Sequence, residues 1–330
     1  MGDKRLCAFI LPYYGTLPNY FQLFLNSCGA NPEYDWLIFT DDHTAFDYPD
    51  NVHVHYETFP DMQKRVRERF HDEAELRTPY KLCDFKPIYG FLFEEYLADY
   101  QFWGYGDCDV ILGRLSHFIT DEMFERYDKI FSVGHLTLMR NTKENNRNFM
   151  LPLDGKLIWR EVVKSNKIYT FDESYLSTNV NRIYQQHGIP VYTADLSGNT
   201  RVSAGIFELV HFDPILNVYM TEAPLHAVYL WDNGRLTRSY HQLGEFVTRE
   251  LMYMHFQRRA MDVRLDDAHM QKFKILPGSF EPLEVDEITR QNFRSIRWKR
   301  AGDQIKHRWS IIAGDAKFWR KKIIAKLLHR

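Results

Sequence analysis

Short apolar runs separated by polar loops make up the beginning of the chain. The run at 6–11 is too short and too apolar for a surface helix and predicts a buried β-strand, and a second strand is predicted at 36–40. Residues 52–56 alternate between apolar and polar and predict a third strand. Between the first two runs, apolar residues at 19–26 recur with helical spacing and predict a helix. A strand–helix–strand opening is typical of an open α/β sheet, whose ligand crevice lies at the carboxyl ends of its strands.

Helical patterns continue through the middle of the chain. Apolar residues at helical spacing predict helices at 61–76, 88–96, 159–165 and 173–186. The last of these is expected to begin with Asp172 as its N-cap and to end at Gly188. A strand is predicted at 129–134, whereas residues 140–149 are rich in asparagine and charge and predict an exposed loop.

The later part of the chain is dominated by short β-type runs. They lie at 191–193, 206–210, 227–231, 235–240 and 251–257. Asn233-Gly234 predicts a hairpin turn between two of these runs. From the shifts in composition we predict an α/β domain at 1–265, a linker at 266–290 and a basic helical tail at 291–330.

The distribution of charge changes this picture at the C-terminal end. The chain has a formal net charge of −2, yet residues 291–330 carry 12 basic and 2 acidic residues. Trp, Phe, Ile and Leu are interleaved with these basic residues, a pattern that suits an anionic membrane surface. Nucleic acid would match the charge but not the bulky apolar residues. A terminal helix packed on the domain, with its basic residues outward, is the alternative interpretation.

Cysteine usage and hydropathy indicate the cellular compartment. The four cysteines are scattered, without the spacing of a metal site or of a disulfide framework, which favours a reducing compartment. The apolar run near the start is too short for a signal peptide, and no run has the length of a membrane-spanning helix. We therefore expect a cytoplasmic protein, bound peripherally to the inner face of the cell membrane through its tail.

The most informative chemistry lies at the end of an aromatic strand-like run at 100–105. Asp107 and Asp109 follow this run at positions i and i+2, where their side chains can converge on one point. Hard carboxylate oxygens in this arrangement suit Mg²⁺ or Mn²⁺. The alternative is a polar loop, but a carboxylate pair next to an apolar strand is costly unless a cation pairs with it.

Together with an earlier segment, this Asp-x-Asp motif resembles a known enzyme family. Residues 81–90 read KLCDFKPIYG, and residues 102–113 read FWGYGDCDVILG. This combination resembles nucleotide-sugar-dependent glycosyltransferases of the GT-A fold, most closely those of bacterial polysaccharide biosynthesis. In element order the resemblance covers about residues 5–260. It implies an α/β, Rossmann-like mixed sheet flanked by helices.

The resemblance also implies roles for individual residues. It makes Asp107, Asp109 and the late His255 ligands of a divalent metal, Mn²⁺ or Mg²⁺, with Asp109 as the more direct carboxylate ligand. The residues that it implies for donor binding are Pro12, Tyr13, Tyr14, Asp41, Asp42, Lys81, Asp84, Lys86, Asp107 and Arg258. For the two acids after the second strand, a simple turn is the alternative.

A catalytic base is implied at residues 171–174. Inverting enzymes of this family place a carboxylate at the start of a helix facing the acceptor, and Asp172 is the first candidate for this base. Glu173 is the second, because the order of the two acids here differs from the more common order in the family. A general base must lie within hydrogen-bond reach of the hydroxyl that it deprotonates.

The resemblance therefore predicts a metal-dependent glycosyltransferase. Its donor would be a UDP-sugar and its acceptor a glycan or lipid-linked oligosaccharide of a bacterial surface polysaccharide, with no nucleic-acid partner. Two alternatives remain open. One is a non-catalytic module that binds sugar nucleotides or glycans. The other is a metal-dependent phosphohydrolase, which usually needs further ligands for a second metal.

Overall fold

A computed structural model describes residues 4–174, 176–201, 207–222, 226–257 and 259–298. The strands in this part of the chain are β1 Arg5–Tyr13, β2 Tyr34–Thr40, β3 Val52–Tyr56, β4 Tyr100–Gly106, β5 Val110–Leu112, β6 Lys129–Ile130, β7 Leu136–Arg140, β8 Val191–Tyr192, β9 Gly198–Asn199, β10 Val210–Asp213, β11 Val218–Thr221, β12 Val228–Asp232, β13 Arg235–Gln242, β14 Glu245–Glu250, β15 Tyr253–His255, β16 Asp262–Val263, β17 Lys272–Leu276 and β18 Ser279–Pro282. The α-helices are α1 Phe21–Gly29, α2 Phe59–Arg69, α3 Tyr89–Leu92, α4 Asp121–Arg126, α5 Ile158–Val163, α6 Val180–Gln186 and α7 Phe293–Trp298.

The described chain forms two compact units. The first contains residues 4–108, 115–196 and 212–219, and the second contains residues 109–114, 197–211 and 220–298. These boundaries differ from the predicted regions, because the segment 266–290, predicted as a linker, supplies β17 and β18 to a sheet of the second unit. Of the predicted tail, Phe293–Trp298 forms α7, and the residues from 299 onward lie outside the described part.

The first unit is built on a seven-stranded sheet in the order β3-β2-β1-β4-β7-β6-β8. The pairs β1–β2, β2–β3 and β1–β4 are parallel, whereas β7 runs antiparallel to both β4 and β6. All seven residues of β2 are buried, as expected for a parallel strand covered on both faces. The prediction of a mixed α/β sheet is confirmed, and β7 is the strand that the sequence pattern did not indicate.

Helix ends in this unit differ from the predictions for local reasons. A capping box between Thr58 and Asp61 starts α2, which ends at Arg69, well before the predicted residue 76. His71 and Asp72 both have positive φ angles, a backbone conformation that cannot continue a right-handed helix.

The predicted helix at 88–96 is also interrupted. Residues Pro79–Ile88 form a 3₁₀ helix, α3 adds a single turn, and a second 3₁₀ turn covers Glu94–Tyr96. Pro87 lies inside the first of these segments and has no N–H to donate, so a regular α-helix cannot pass through it.

The predicted helix cap at Asp172 is wrong. Helix α6 begins at Val180, and its N-cap is Asn179, whose side-chain oxygen accepts the N–H of Arg182 at 3.1 Å. Asp172 lies in an irregular turn well before the helix and is buried. The carboxylate is therefore available for another role.

The second unit contains a six-stranded and a three-stranded sheet. The six strands follow the order β14-β13-β12-β17-β18-β16, and the predicted turn at Asn233-Gly234 is confirmed, with positive φ at both residues. The three strands follow the order β5-β15-β9. Helix α7 packs its Phe293 and Ile296 against Val228 of the six-stranded sheet.

Two further observations concern the cysteines and the helices. The four cysteines are free thiols. Among the described residues, no helix has both the length and the apolar character needed to cross a membrane.

Candidate metal and acid–base site

Asp107 and Asp109 lie in the short connection between β4 and β5. The backbone N–H of Asp107 donates to the carbonyl oxygen of His135 at 3.3 Å, which continues the pairing of β4 with β7 by one residue. Cys108 is buried between the two half-buried aspartates. The alternation expected of an extended chain therefore turns both carboxylates away from the core.

In the second unit, the three-stranded sheet brings His255 to Asp109. On β15, His255 pairs with Val110 of β5, and the N–H of Phe256 donates to the carbonyl oxygen of Asp109 at 2.9 Å. The Nε2 atom of His255 lies 3.2 Å from Oδ1 of Asp109. On its other side, the Nδ1 atom of His255 lies 3.1 Å from Oδ1 of Asn199 on β9.

Asp107, Asp109 and His255 have the composition and spacing of a metal-binding group. Each of the three offers one ligand atom of a kind that can hold a metal ion. Only one residue separates the two aspartates, so the covalent chain itself keeps them close. Carboxylate oxygens and an imidazole nitrogen are ligand types that divalent metal ions use in proteins.

Lys86 joins Asp107 to Asp172 within the first unit. Its Nζ atom donates to Oδ1 of Asp107 at 2.6 Å and to the carbonyl oxygen of Gly134 at 3.0 Å, and it lies 3.4 Å from Oδ2 of Asp172. Burial alone would lower the pKa of Lys86, but the carboxylates of Asp107 and Asp172 raise it well above its usual range. The lysine is therefore a permanent cation between the two acids.

Asp172 is an acid whose surroundings suit proton transfer. Burial raises the pKa of its carboxyl to about 7, although Lys86 lowers it, and the negative charges of Glu173 and Asp107 add to the rise. A general base works best when its pKa is close to the operating pH.

Glu173 lies beside Asp172, and both acids approach the backbone of Gly134. Tyr219 donates its hydroxyl to Oε2 of Glu173 at 2.7 Å. A Cβ atom on Gly134 would lie 2.5 Å from Oδ2 of Asp172 and 2.6 Å from Oε1 of Glu173. Any side chain at position 134 would therefore displace one of the two acids.

Lys81 and Asp84, both predicted to bind the donor, form a fully buried ion pair at 2.8 Å. Asp84 also accepts the N–H groups of Tyr169 and Phe171, both at 2.9 Å. Lys81 also donates to the carbonyl oxygen of Lys167 at 2.6 Å. The pair therefore holds the segment 167–171, which leads directly into Asp172.

The predicted nucleotide-binding residues lie at the ends of β1 and β2. Pro12 and Tyr13 end β1 and are partly exposed, whereas Tyr14 is buried and donates its hydroxyl to Glu57 at 2.5 Å. Burial and the neighbouring Glu57 raise the pKa of Tyr14. Donor contacts by these three residues stay a prediction.

Asp41 and Asp42 organise the loop that follows β1. Asp41 accepts the N–H of Gly15 at 2.7 Å, and Asp42 accepts the N–H of Leu17 at 2.8 Å. Hydrogen bonds from Thr44 and Leu17 lower the pKa of Asp42. Both acids shape this turn, and a contact with base or ribose stays a prediction.

Two arginines, Arg258 and Arg259, follow β15. Arg258, predicted to bind the donor, lies outside the described residues. Arg259 is buried and donates to the carbonyl oxygens of Pro277 and Arg201, and burial lowers its pKa to about 10. Its described contacts are those of a residue that supports the local fold.

Sequence reasoning missed three residues that contact the candidate site. They are Gly134, Asn199 and Tyr219. Gly134 ends a predicted strand, which was a weak signal. Asn199 lies on a two-residue strand, and Tyr219 on a short strand with no predicted pattern. Neither position had a sequence signal that could have identified it.

Comparison with known proteins gives a family but no function. No curated protein matches the chain. Among solved structures it is similar to the galactosyltransferase LgtC, determined with donor and acceptor sugar analogues, with a TM-score of 0.33 and 11% identity over 58% of this chain and 75% of LgtC. A family model described as a family of unknown function, DUF6625, matches residues 9–284. Because this match covers more than half of the sequence, the chain belongs to the DUF6625 family.

Proposed function

We propose that the protein is a metal-dependent glycosyltransferase that uses a UDP-sugar as its donor. The observation that carries the proposal is the placement of Asp107. This residue belongs to the metal-type group with Asp109 and His255, and it also pairs with Lys86, whose second carboxylate partner is the buried Asp172. A metal-binding group and an acid with a raised pKa are thus linked through one lysine.

The donor diphosphate would bind at Asp107, Asp109 and His255. A bound Mn²⁺ or Mg²⁺ would neutralise the charge that develops on a departing nucleoside diphosphate. Of the two, Mn²⁺ fits better, because Mg²⁺ prefers oxygen ligands only. Lys86 would hold Asp107 in place and add positive charge near the leaving group.

Asp172 would act as the general base. It would accept the proton of an acceptor hydroxyl while the hydroxyl oxygen attacks the anomeric carbon, and the bond between that carbon and the diphosphate oxygen would break. UDP would leave, and the configuration at the anomeric carbon would invert. Glu173 is the second candidate, and its hydrogen bond from Tyr219 fixes its position.

The two alternative functions account for less of the site. A module that only binds sugar nucleotides has no need for a buried acid beside the lysine that holds Asp107, and Asp172 is such an acid, with Lys86 at 3.4 Å. Two-metal phosphohydrolases hold their ions about 3.5–4 Å apart and need ligands for both. Over the described residues, one group of His, Cys, Asp and Glu side chains has metal-binding spacing.

Titration with UDP tests the donor site. We expect Mn²⁺ to tighten UDP binding by about tenfold or more, equivalent to about 1.4 kcal/mol. In the Asp109→Ala variant this gain should disappear, because one metal ligand is lost. Isothermal titration calorimetry with and without Mn²⁺ measures both. The exposed Asp266, in the same unit, provides the control variant Asp266→Ala, which should behave as the wild type. Equal UDP affinity with and without Mn²⁺ in the wild type would refute the proposal.

For the acceptor we propose a glycan or lipid-linked oligosaccharide of a bacterial surface polysaccharide, on the cytoplasmic face of the cell membrane. The support is the +10 charge of residues 291–330 and their interleaved aromatic residues. These residues would bring the enzyme to anionic lipid.

Sedimentation with vesicles tests the membrane proposal. The full chain should sediment with phosphatidylglycerol vesicles but not with phosphatidylcholine vesicles, and a chain that ends at Trp298 should remain in the supernatant. Ending the chain there keeps Phe293 and Ile296 of α7, which pack against Val228 of the six-stranded sheet. If both chains sedimented equally, the proposal that the tail binds the membrane would be refuted.

A further inference from the structure

We propose that Asn199 is a metal-positioning residue, which fixes the tautomer and the ring orientation of His255 so that Nε2 is the ligand atom. The inference rests on the proposed metal site and assigns a role to a residue outside the metal-binding group. It concerns the hydrogen bond on the far side of the imidazole ring from Asp109.

The hydrogen bonds of Asn199 define which ring nitrogen carries a proton. Its Oδ1 atom lies 3.1 Å from Nδ1 of His255, and it also accepts the Nε2–H of Gln257 at 2.9 Å. An amide oxygen only accepts hydrogen bonds, so Nδ1 must be the donor. The same oxygen accepts from Gln257, so two partners hold the Asn199 amide in place.

The backbone on both sides of His255 restricts the ring further. His255 pairs with Asn199 in the parallel register of β15 and β9. Thr200 donates both its N–H, at 3.0 Å, and its hydroxyl, at 2.8 Å, to the carbonyl oxygen of His255. Asn199 and His255 are 5% and 8% exposed, so water competes little for these bonds. The ring is therefore held from its main chain and from Nδ1 together.

This arrangement directs a lone pair of His255 towards Asp109. A neutral ring with its proton on Nδ1 presents an unprotonated Nε2, which lies 3.2 Å from a carboxylate oxygen. A cation between these two atoms, either a metal ion or a proton, would therefore be stabilised. Partners that orient a metal-ligating histidine typically change metal affinity by 10–100-fold, although they never contact the metal.

The tautomer can be measured in the unmodified, metal-free chain. Nitrogen-15 NMR of histidine-labelled protein at pH 8.5 reports which ring nitrogen is protonated, and the His255 signal is the one missing from the His255→Gln variant. We expect a proton on Nδ1, whether or not Nε2 is also protonated in the absence of metal. A proton on Nε2 alone would overturn the inference. Since the measurement uses the natural sequence, it does not depend on how well a variant folds.

Mn²⁺ binding to two variants tests the consequence. Asn199→Leu removes the acceptor and should weaken Mn²⁺ binding by about 10–100-fold, measured by calorimetry without nucleotide. Asn199→Asp keeps an acceptor oxygen at the same position and should bind Mn²⁺ about as tightly as the wild type.

The two proposals fail in different ways. Wild-type affinity in Asn199→Leu would overturn the role of Asn199 and leave the proposed function intact. A wild type that binds no Mn²⁺ would refute the proposed function, while the tautomer measurement would still decide whether Asn199 fixes the ring.

Discussion

Asp172→Asn is expected to lower the rate of sugar transfer by about 100-fold or more, the usual contribution of a positioned general base. Asparagine keeps the shape of the side chain but cannot accept a proton from the acceptor hydroxyl. Lys86 retains Asp107 as a partner, so the donor site should persist and UDP affinity should stay near the wild-type value. UDP release from a panel of UDP-sugars measures the rate, and calorimetry measures the affinity.

The pH dependence gives a second signature of the same residue. A base acts in its ionised form, and the pKa of Asp172 is raised to about 7. The wild-type rate should therefore rise with pH up to about 7 and level off above it. In Asp172→Asn this rise should be absent.

Glu173→Gln is the matched control for this experiment. It changes the neighbouring acid and weakens its bond with Tyr219, but it leaves Asp172 in place. A large loss in Glu173→Gln together with a nearly normal Asp172→Asn would make Glu173 the base.

Most of the site residues that could be predicted from the sequence lie directly after predicted strands. Strands β1 and β2 were predicted because a sheet covered on both faces needs short, nearly continuous apolar runs, and β3 was predicted because its apolar and polar residues alternate. Asp107 and Asp109 were recognisable because they follow such a run. Lys86 was recognisable because it lies in the segment 81–90, which together with residues 102–113 resembles the GT-A family. Where a polar residue follows a buried strand, local sequence and site geometry coincide.

Contacts between residues far apart in the chain could not be predicted in this way, because no local sequence pattern marks them. Asn199 meets His255 across 56 positions, through a strand of only two residues. Asp172 satisfied a local rule for helix caps, but burial beside Lys86 decided its position instead. Local periodicity describes which face of an element is apolar, and it contains no information about which distant segment covers that face.

Burial of charge was equally invisible in the sequence. Lys81 and Asp84 read as two polar residues near a phosphate site, an interpretation equally compatible with an exposed pair. In the structure both are fully buried and hold the backbone of Tyr169 and Phe171. The same spacing on an exposed helix would contribute almost nothing to stability. Because this pair is buried, removing one of its charges should lower the free energy of unfolding far more than removing a charge from an exposed pair would.

Asp84→Asn is expected to reduce the free energy of unfolding by about 3–5 kcal/mol, because it leaves the buried ammonium of Lys81 without its counter-charge. Urea denaturation measures the loss. Glu68→Gln is the control, since Glu68 pairs with Lys64 at 3.8 Å on an exposed helix surface, and it should cost less than about 0.5 kcal/mol.

The double variant Lys81→Gln/Asp84→Asn separates charge from shape. It removes both charges and keeps polar groups near the backbone of 167–171, so it should be more stable than Asp84→Asn alone. If Asp84→Asn cost no more than Glu68→Gln, the pair would not hold this segment. In the expected case, the restored stability of the double variant should be accompanied by restored transfer, because the pair holds the segment that leads into Asp172.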